Sequence, residues 1–140
     1  MSDEVHEVVQ GDGYAVANVD ALGDGPGFRK VRRELDVSAF GVNAVVLPEG
    51  FDAGQHYHDE QEELYLVLRG TIEMTFGKDE SDRFTLEPGG LARVDPQTVR
   101  RVRNVGEGEA VYFTVGGKDG YVGRDGRVPG GEEITRPGGR

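Results

Sequence analysis

The chain has 140 residues and a formal net charge of −10, so it suits one domain and is a poor candidate for nucleic-acid binding, which requires a concentrated basic surface. It has no cysteine, which excludes disulfides and thiolate chemistry and agrees with a cytoplasmic protein. No apolar run approaches the roughly 20 residues of a membrane span and the N-terminus does not resemble a signal peptide, so no membrane partner is expected.

The N-terminal region is predicted to hold little regular structure. Residues 1–13 are polar and are predicted to form a loose segment, in which His6 is a solvated side chain. The run Tyr14–Val19 is a short strand candidate, and Asp24–Gly27 has the composition of a loop. Phe28–Leu35 alternates in charge, which fits either a strand or one helical turn.

From Phe40 onward the pattern is that of an all-β protein. Short β-rich runs recur at spacings near 8–12 residues with turn residues between them, which indicates a sandwich or a barrel. The run Glu63–Leu68 is apolar on both faces and is predicted to lie between two layers. No convincing amphipathic helix is present, which argues against an α/β fold. The predicted strands are Phe40–Leu47, Gln55–His58, Glu63–Leu68, Thr71–Phe76, Arg83–Leu86, Leu91–Val94, Val99–Arg103 and Ala110–Val115.

The composition changes after Gly116. Residues 118–140 are predicted to be a glycine-rich tail without a regular core element, and Gly130–Arg140 to be mobile. Three apolar side chains could hold the tail across the barrel: Tyr121, Val122 and Val128.

The stretch Gly50–Gly70 carries the clearest chemical signal. His56 and His58 are two residues apart, so both rings point to the same face of a strand. The polar run 59–62 allows the chain to turn, so that Glu63 on the next strand can point back at them. Two imidazoles and a carboxylate suit a divalent iron, manganese, zinc, nickel or copper ion. The alternative is two exposed strand histidines beside an acidic turn.

Five residues in this stretch match the first conserved motif of the cupins, and the chain therefore resembles that family: Gly50, His56, His58, Glu63 and Gly70. The resemblance implies an all-β fold, an antiparallel double-stranded β-helix or jelly-roll barrel, here over residues 14–117. It implies that the two histidines and the glutamate are metal ligands lining the barrel, and it favours an edge strand for Phe28–Leu35. Because cupins commonly pair through edge strands, it also implies a homodimer.

The run Pro88–Asn104 resembles the second cupin motif in an altered form. Arg100 lies where the family carries its last histidine ligand, and a guanidinium has no lone pair to give a metal. The chain therefore has at most three ligands of the family type, and the alternatives are a three-residue metal site or no metal. The matching positions are Gly89, Pro96 and Asn104, and two further departures are Asp95 and Gln97.

The alternation of the two strands predicts which other side chains enter the barrel. If Glu63 points inward, Tyr65 does too, and if Arg101 and Arg103 face solvent, Arg100 points inward. We predict that Arg100 and Tyr65 contact a small molecule in an otherwise apolar cavity. Arg100 would either bind the anionic end of that molecule or pair internally with Glu63.

Three functions are compatible with these residues. The first is a metal-dependent enzyme of the cupin type, such as an oxygenase or an isomerase, acting on a small anionic molecule. The second is a cupin that binds such a molecule without catalysis. The third is a structural cupin without metal, in which Glu63 and Arg100 form an internal pair. The sequence identifies neither the substrate nor a catalytic residue.

Overall fold

The computed structural model describes residues 2–134, and this part of the chain is built almost entirely from short strands. It also contains a 3-10 turn at Val19–Ala21 and one single-turn helix, α1, at Val31–Glu34. The strands are β1 (Val9–Gly11), β2 (Tyr14–Val16), β3 (Gly27–Arg29), β4 (Gly41–Leu47), β5 (Asp52–His58), β6 (Glu62–Arg69), β7 (Ile72–Phe76), β8 (Asp82–Leu86), β9 (Leu91–Val94), β10 (Arg100–Asn104), β11 (Ala110–Gly117) and β12 (Gly126–Arg127).

Two antiparallel five-stranded sheets form the body of the protein. Their strand orders are β12-β5-β10-β7-β8 and β3-β4-β11-β6-β9, while β1 and β2 pair separately as a hairpin. The all-β double-stranded β-helix predicted from the sequence is thereby confirmed. Gly70 makes the reversal between β6 and β7 possible: its φ is +80°, and a Cβ there would lie 2.7 Å from the Cα of Ala110.

The apolar core lies between the two sheets. Its members alternate along the strands with outward-facing residues, as the period of two requires. A second, smaller cluster covers the outer face of β4 and β11 beneath α1, and it contains Val31, Ala44, Val46 and Val111. The inter-sheet core consists of Val45, Leu47, Tyr65, Val67, Ile72, Met74, Val94, Val102, Ala110 and Tyr112.

The strand predicted for Phe28–Leu35 is wrong beyond Arg29, where β3 ends and α1 begins. The helical turn places Val31 and Leu35 four residues apart on one face, against the smaller apolar cluster. In a strand the two side chains would also share a face but would lie about 13 Å apart along the chain instead of about 6 Å, so the helical turn is what lets both pack against one small cluster.

The outward face of β6 differs from its predicted environment. Glu63, Tyr65 and Val67 are buried inside the barrel, but Leu64, Leu66 and Leu68 are 42%, 38% and 42% exposed. In the single chain, the prediction that both faces of this strand are covered is therefore wrong. Helix α1 packs on the outer face of the same sheet over β4 and β11.

The chain after Gly117 folds back onto the barrel. We call residues 118–134 the C-terminal strap. Its strand β12 pairs with β5, so that Gly126 lies opposite His58 and Arg127 opposite Tyr57. Part of the predicted mobile segment, residues 135–140, lies outside the described residues. No helix in the described range 2–134 is long and apolar enough to cross a membrane.

Candidate metal centre

Strands β5 and β6 bring three side chains together at one end of the barrel interior. His56 and His58 point inward from β5, and Glu63 points inward from β6 after the turn at residues 59–61. Each side chain offers one ligand atom, and these atoms lie within 4.8 Å of one another. The predicted convergence of the three residues is confirmed.

His58 is held between two carboxylates. Its Nδ1 lies 2.9 Å from Oδ1 of Asp125 in the C-terminal strap, and its Nε2 lies 3.1 Å from Oε1 of Glu63. Because a carboxylate accepts hydrogen bonds, Nδ1 carries the proton that is donated to Asp125. In the neutral ring the Nε2 lone pair then faces the Glu63 carboxylate. Two acceptors at this distance require a proton or a cation between them.

Asp125 is ionised by its surroundings. Burial acts to raise the pKa of its carboxyl. Hydrogen bonds outweigh burial and lower the pKa below its usual value; they come from the side chain and backbone of Gln61, from the backbone of Glu60 and from the His58 side chain. The backbone N–H groups of Glu60 and Gln61 donate to Oδ2 at 3.0 and 2.9 Å. The Gln61 side-chain amide donates to Oδ1.

His56 is the most exposed member of the group, although it is only 8% exposed. Its Nε2 lies 3.9 Å from Glu63 Oε1 and 3.5 Å from the Tyr65 hydroxyl. Burial, opposed by Glu63 and assisted by Arg100 and His58, lowers the pKa of His56 to about 4. The imidazole is therefore neutral at neutral pH, the state in which histidine binds metals.

Tyr65 fixes the carboxylate of Glu63. Its hydroxyl donates to Glu63 Oε1 at 2.8 Å, and its ring stacks on Tyr112 with centroids 5.9 Å apart. Tyr65 thus lies beside the metal-ligand group, as the strand alternation predicted. Its predicted contact with a bound molecule stays a prediction.

Arg100 lies fully buried next to the same group. It is directly opposite His56 across the β5–β10 pair, and its Nη2 lies 3.5 Å from Glu63 Oε1. Its Nη1 donates to the carbonyl oxygens of Pro96 and Thr98 at 3.0 and 2.9 Å. The guanidinium is therefore held by the loop before β10 and by one carboxylate. Its role in binding a ligand stays a prediction.

The donor set fits a divalent transition metal. Within residues 2–134, the buried His58 Nε2 and His56 Nδ1 have no hydrogen-bond partner. Buried polar atoms normally have one, so these nitrogens are available as ligands. Two imidazoles and a carboxylate are the ligand types of iron, manganese, zinc, nickel and copper sites.

A small basic pocket opens on the other side of Gln61. It has a volume of about 80 Å³ and lies between α1, β4, β11 and the C-terminal strap. Its rim carries Lys30, Arg32 and Arg33, and Arg32 lies 3.9 Å above the ring of Tyr121. In a chain with a net charge of −10, this is a local concentration of positive charge.

Sequence reasoning missed Asp125 and Gln61. Asp125 lies in the segment assigned to a glycine-rich tail, 67 residues from His58. No spacing rule connects residues so far apart, because their contact depends on the path of the whole chain. Gln61 was placed in the turn only for its polarity. A buried acidic residue in the tail is visible only once the tail is seen to fold back.

The family comparison agrees with this fold. The sequence profile described as Cupin domain matches residues 43–116, more than half of the chain. This range includes all three proposed ligands and Arg100. No curated protein matches the chain.

Several solved structures resemble the chain. A cupin protein from Bacteroides fragilis has a TM-score of 0.64 and 17% identity, with 90% of this chain and 99% of that chain covered. The DMSP lyase DddQ from Ruegeria pomeroyi has a TM-score of 0.57 and 18% identity, covering 67% and 45%. An oxalate oxidase has a TM-score of 0.53 and 17% identity, covering 59% and 43%. The chain thus spans less than half of the last two, and these identities show the fold alone.

Proposed function

This chain belongs to the cupin family, and on that premise we propose that it holds a divalent transition metal ion with His56, His58 and Glu63 and binds a small anionic molecule beside it. When bound, such an ion supplies a Lewis acid with open coordination positions. The lyase and the oxidase that share the fold are named for different reactions, so the fold selects neither. Oxygenase or isomerase chemistry, or binding without reaction, are the forms that this function would take.

The geometry of His58 carries the proposal. Its Nδ1 proton is committed to Asp125, and its Nε2 points at Glu63 Oε1 from 3.1 Å. A cation between the two atoms converts a repulsive contact into a ligand pair. His56 supplies a second neutral imidazole within reach of the same point.

The charges of the site favour an anionic ligand. A divalent ion and the Arg100 guanidinium together carry three positive charges, against the two negative charges of Glu63 and Asp125. Buried charge of one sign is costly unless it is balanced. Arg100 also has a buried Nε–H without a hydrogen-bond partner in the described chain 2–134, and an anionic oxygen would satisfy it.

The remaining residues of the site orient these groups. Tyr65 holds Glu63 through its hydroxyl, and the carbonyl oxygens of Pro96 and Thr98 hold Arg100. Tyr65 lies within strand β6 and the two carbonyl oxygens belong to the turn before β10, so the side chains are held in place before a ligand arrives.

Metal titration tests the proposal. Wild-type protein stripped with a chelator should bind zinc, manganese or iron(II) with one site per chain, as measured by calorimetry and elemental analysis. Replacing His56 and His58 together with alanine should abolish this binding, because two of the three ligands are lost. His6→Ala, which removes an exposed histidine, is the matched control and should bind as wild type. Metal content that survives the double replacement would place the site elsewhere.

A second function is favoured by one observation. Arg100 Nη2 and Glu63 Oε1 are 3.5 Å apart with both side chains buried, so the pair neutralises itself without metal. The protein would then be a non-enzymatic ligand-binding or structural cupin.

Arg100→His distinguishes the two functions. If the native site is metal-free, the new imidazole supplies the family's fourth ligand and metal binding should appear or strengthen. If metal and an anion are bound together, carboxylate affinity should fall by about 1.5–3 kcal/mol, the value of a charge-assisted hydrogen bond. Arg101→His, one residue along on the outer face of β10, is the control. If Arg100→His changed neither metal affinity nor carboxylate affinity, Arg100 would neither block a metal ligand nor bind an anion.

A further inference from the structure

The C-terminal strap closes directly over the turn that carries the metal ligands. The Asp59 N–H donates to the carbonyl oxygen of Asp125 at 3.0 Å, and Arg127 pairs with the Asp59 carboxylate at 2.8 Å. Gly126 lies opposite His58 in the β5–β12 pair. The strap therefore packs against His58 through both its backbone and its side chains.

The Asp125 carboxylate is the centre of this contact. It is buried, and its two oxygens accept hydrogen bonds from His58 Nδ1, from the Gln61 side-chain amide and from the backbone N–H groups of Glu60 and Gln61. All of its partners are donors. An ionised carboxylate can only accept hydrogen bonds, so His58 Nδ1 has to carry the proton that it donates to Asp125. This contact determines the tautomer of the ring.

We propose that Asp125 is a positioning residue for the metal centre: it holds His58 as the Nδ1–H tautomer with Nε2 toward the metal, and so couples docking of the C-terminal strap to metal binding. This inference rests on the proposed metal function. A histidine that ligates through one ring nitrogen commonly donates the other to a carboxylate, and removing that partner typically costs 10–100-fold in metal affinity. The coupling is reciprocal, so bound metal also stabilises the docked strap.

Asp125→Asn is the informative variant because it keeps the shape of the side chain. Two backbone N–H groups donate to Oδ2, so the amide oxygen stays there and the amide nitrogen replaces Oδ1. That nitrogen is a donor facing His58 Nδ1 and the Gln61 side-chain amide, which can rotate to present its oxygen. The ring then has to accept at Nδ1 and carry its proton on Nε2, the atom needed for the metal.

The experiment uses zinc as a diamagnetic probe. Zinc affinity is measured by competition titration for wild type, Asp125→Asn and Asp119→Asn. Asp119 is an exposed acidic residue of the same strap, and its replacement makes the same charge change away from His58. Long-range ¹H–¹⁵N spectra report which ring nitrogen of His58 carries the proton, a readout that a merely structural contact would not move.

We expect zinc affinity to fall about 10–100-fold in Asp125→Asn, the metal-free ring to change to the Nε2–H tautomer, and Asp119→Asn to match wild type. An unchanged affinity and tautomer in Asp125→Asn, with normal zinc binding by wild type, would overturn the role of Asp125 and leave the metal function intact. Failure of wild type to bind zinc or any other metal would overturn the proposed function, and this inference with it.

If Asp125→Asn does not fold, the His58 tautomer measured in the wild type still tests the proposal. In the zinc-loaded wild type, His58 must show a proton on Nδ1 in a hydrogen bond. A zinc-loaded protein in which His58 carries its proton on Nε2 would overturn the proposal. Amide exchange of residues 125–127 should also slow on adding zinc, and unchanged exchange would exclude the coupling to the strap.

Discussion

The two halves of the barrel interior are built by the same strands but differ in chemistry. Strand β6 contributes Glu63 and Tyr65 to one half and Val67 to the other, and β10 contributes Arg100 and then Val102. The first half holds charged and hydrogen-bonding groups, while the second is packed with apolar side chains. Strand alternation thus determines which residues enter the barrel, and residue identity alone determines whether a position stabilises the fold or forms the site.

The largest effect should come from breaking the polar half. In metal-free protein, Glu63→Ala leaves Arg100 buried without a carboxylate and removes the acceptor of the Tyr65 hydroxyl. We expect the free energy of unfolding to fall by about 3–5 kcal/mol, measured by urea denaturation with a chelator present. Glu62→Ala, at the exposed neighbour, should change it by less than about 0.5 kcal/mol. A small loss in Glu63→Ala would mean that Arg100 finds another partner.

Acidification should lower the free energy of unfolding through His56, which lies in the same polar half. The pKa of His56 is about 4 in the folded state against an ordinary 6.5, so between these values the unfolded chain binds more protons. The contribution is complete above pH 6.5 and is lost as the pH falls toward 4, and it amounts to about 3 kcal/mol.

Unfolding curves of the metal-free protein at several pH values check this. His56→Gln removes the titrating group, so its stability should decline less over that range than that of wild type. His6→Gln, which replaces an exposed histidine, should follow wild type. Parallel curves for wild type and His56→Gln would show that His56 does not carry the pH dependence.

The apolar half should respond less to a single deletion. Val102→Ala removes two buried methyl groups from the inter-sheet core and should lower the free energy of unfolding by about 2 kcal/mol. Val105→Ala makes the same change three residues along, where the side chain is 51% exposed, and should be nearly neutral. Equal losses would contradict the burial that distinguishes the two positions. Metal affinity should stay unchanged in both variants.

The smallest effect on stability concerns the sheet edges. Strands β8 and β9 end their sheets, and the homodimer that cupin resemblance implies would use such an edge. We expect sedimentation equilibrium to show twice the chain mass of 15.2 kDa. Leu91→Lys on β9 should shift the protein to monomer, with little change in the stability of the chain. Phe84→Lys on β8 is the control for the other edge. A wild-type monomer would make the homodimer prediction wrong.

Local patterns predicted much of this molecule. The His56–His58 spacing, the turn before Glu63 and the alternation of β6 and β10 each depend on neighbours in sequence, and each appears in the structure. For Phe28–Leu35 the sequence allowed a strand or one helical turn and the strand was favoured, because the choice depends on an apolar cluster formed by β4 and β11. Asp125 was missed for the same reason at longer range. Its ionised state and its contact with His58 exist only after the C-terminal strap has docked.

The C-terminal strap should also affect the rate of metal exchange, in addition to the metal affinity. It is held to the barrel by the two-residue strand β12 and a few side-chain contacts, so it should open far more often than the barrel unfolds. Opening withdraws Asp125 from His58 while β5 and β6 keep their places. The rate at which a bound ion exchanges with solution would then follow the local opening of the C-terminal strap, and the barrel would stay folded through each exchange.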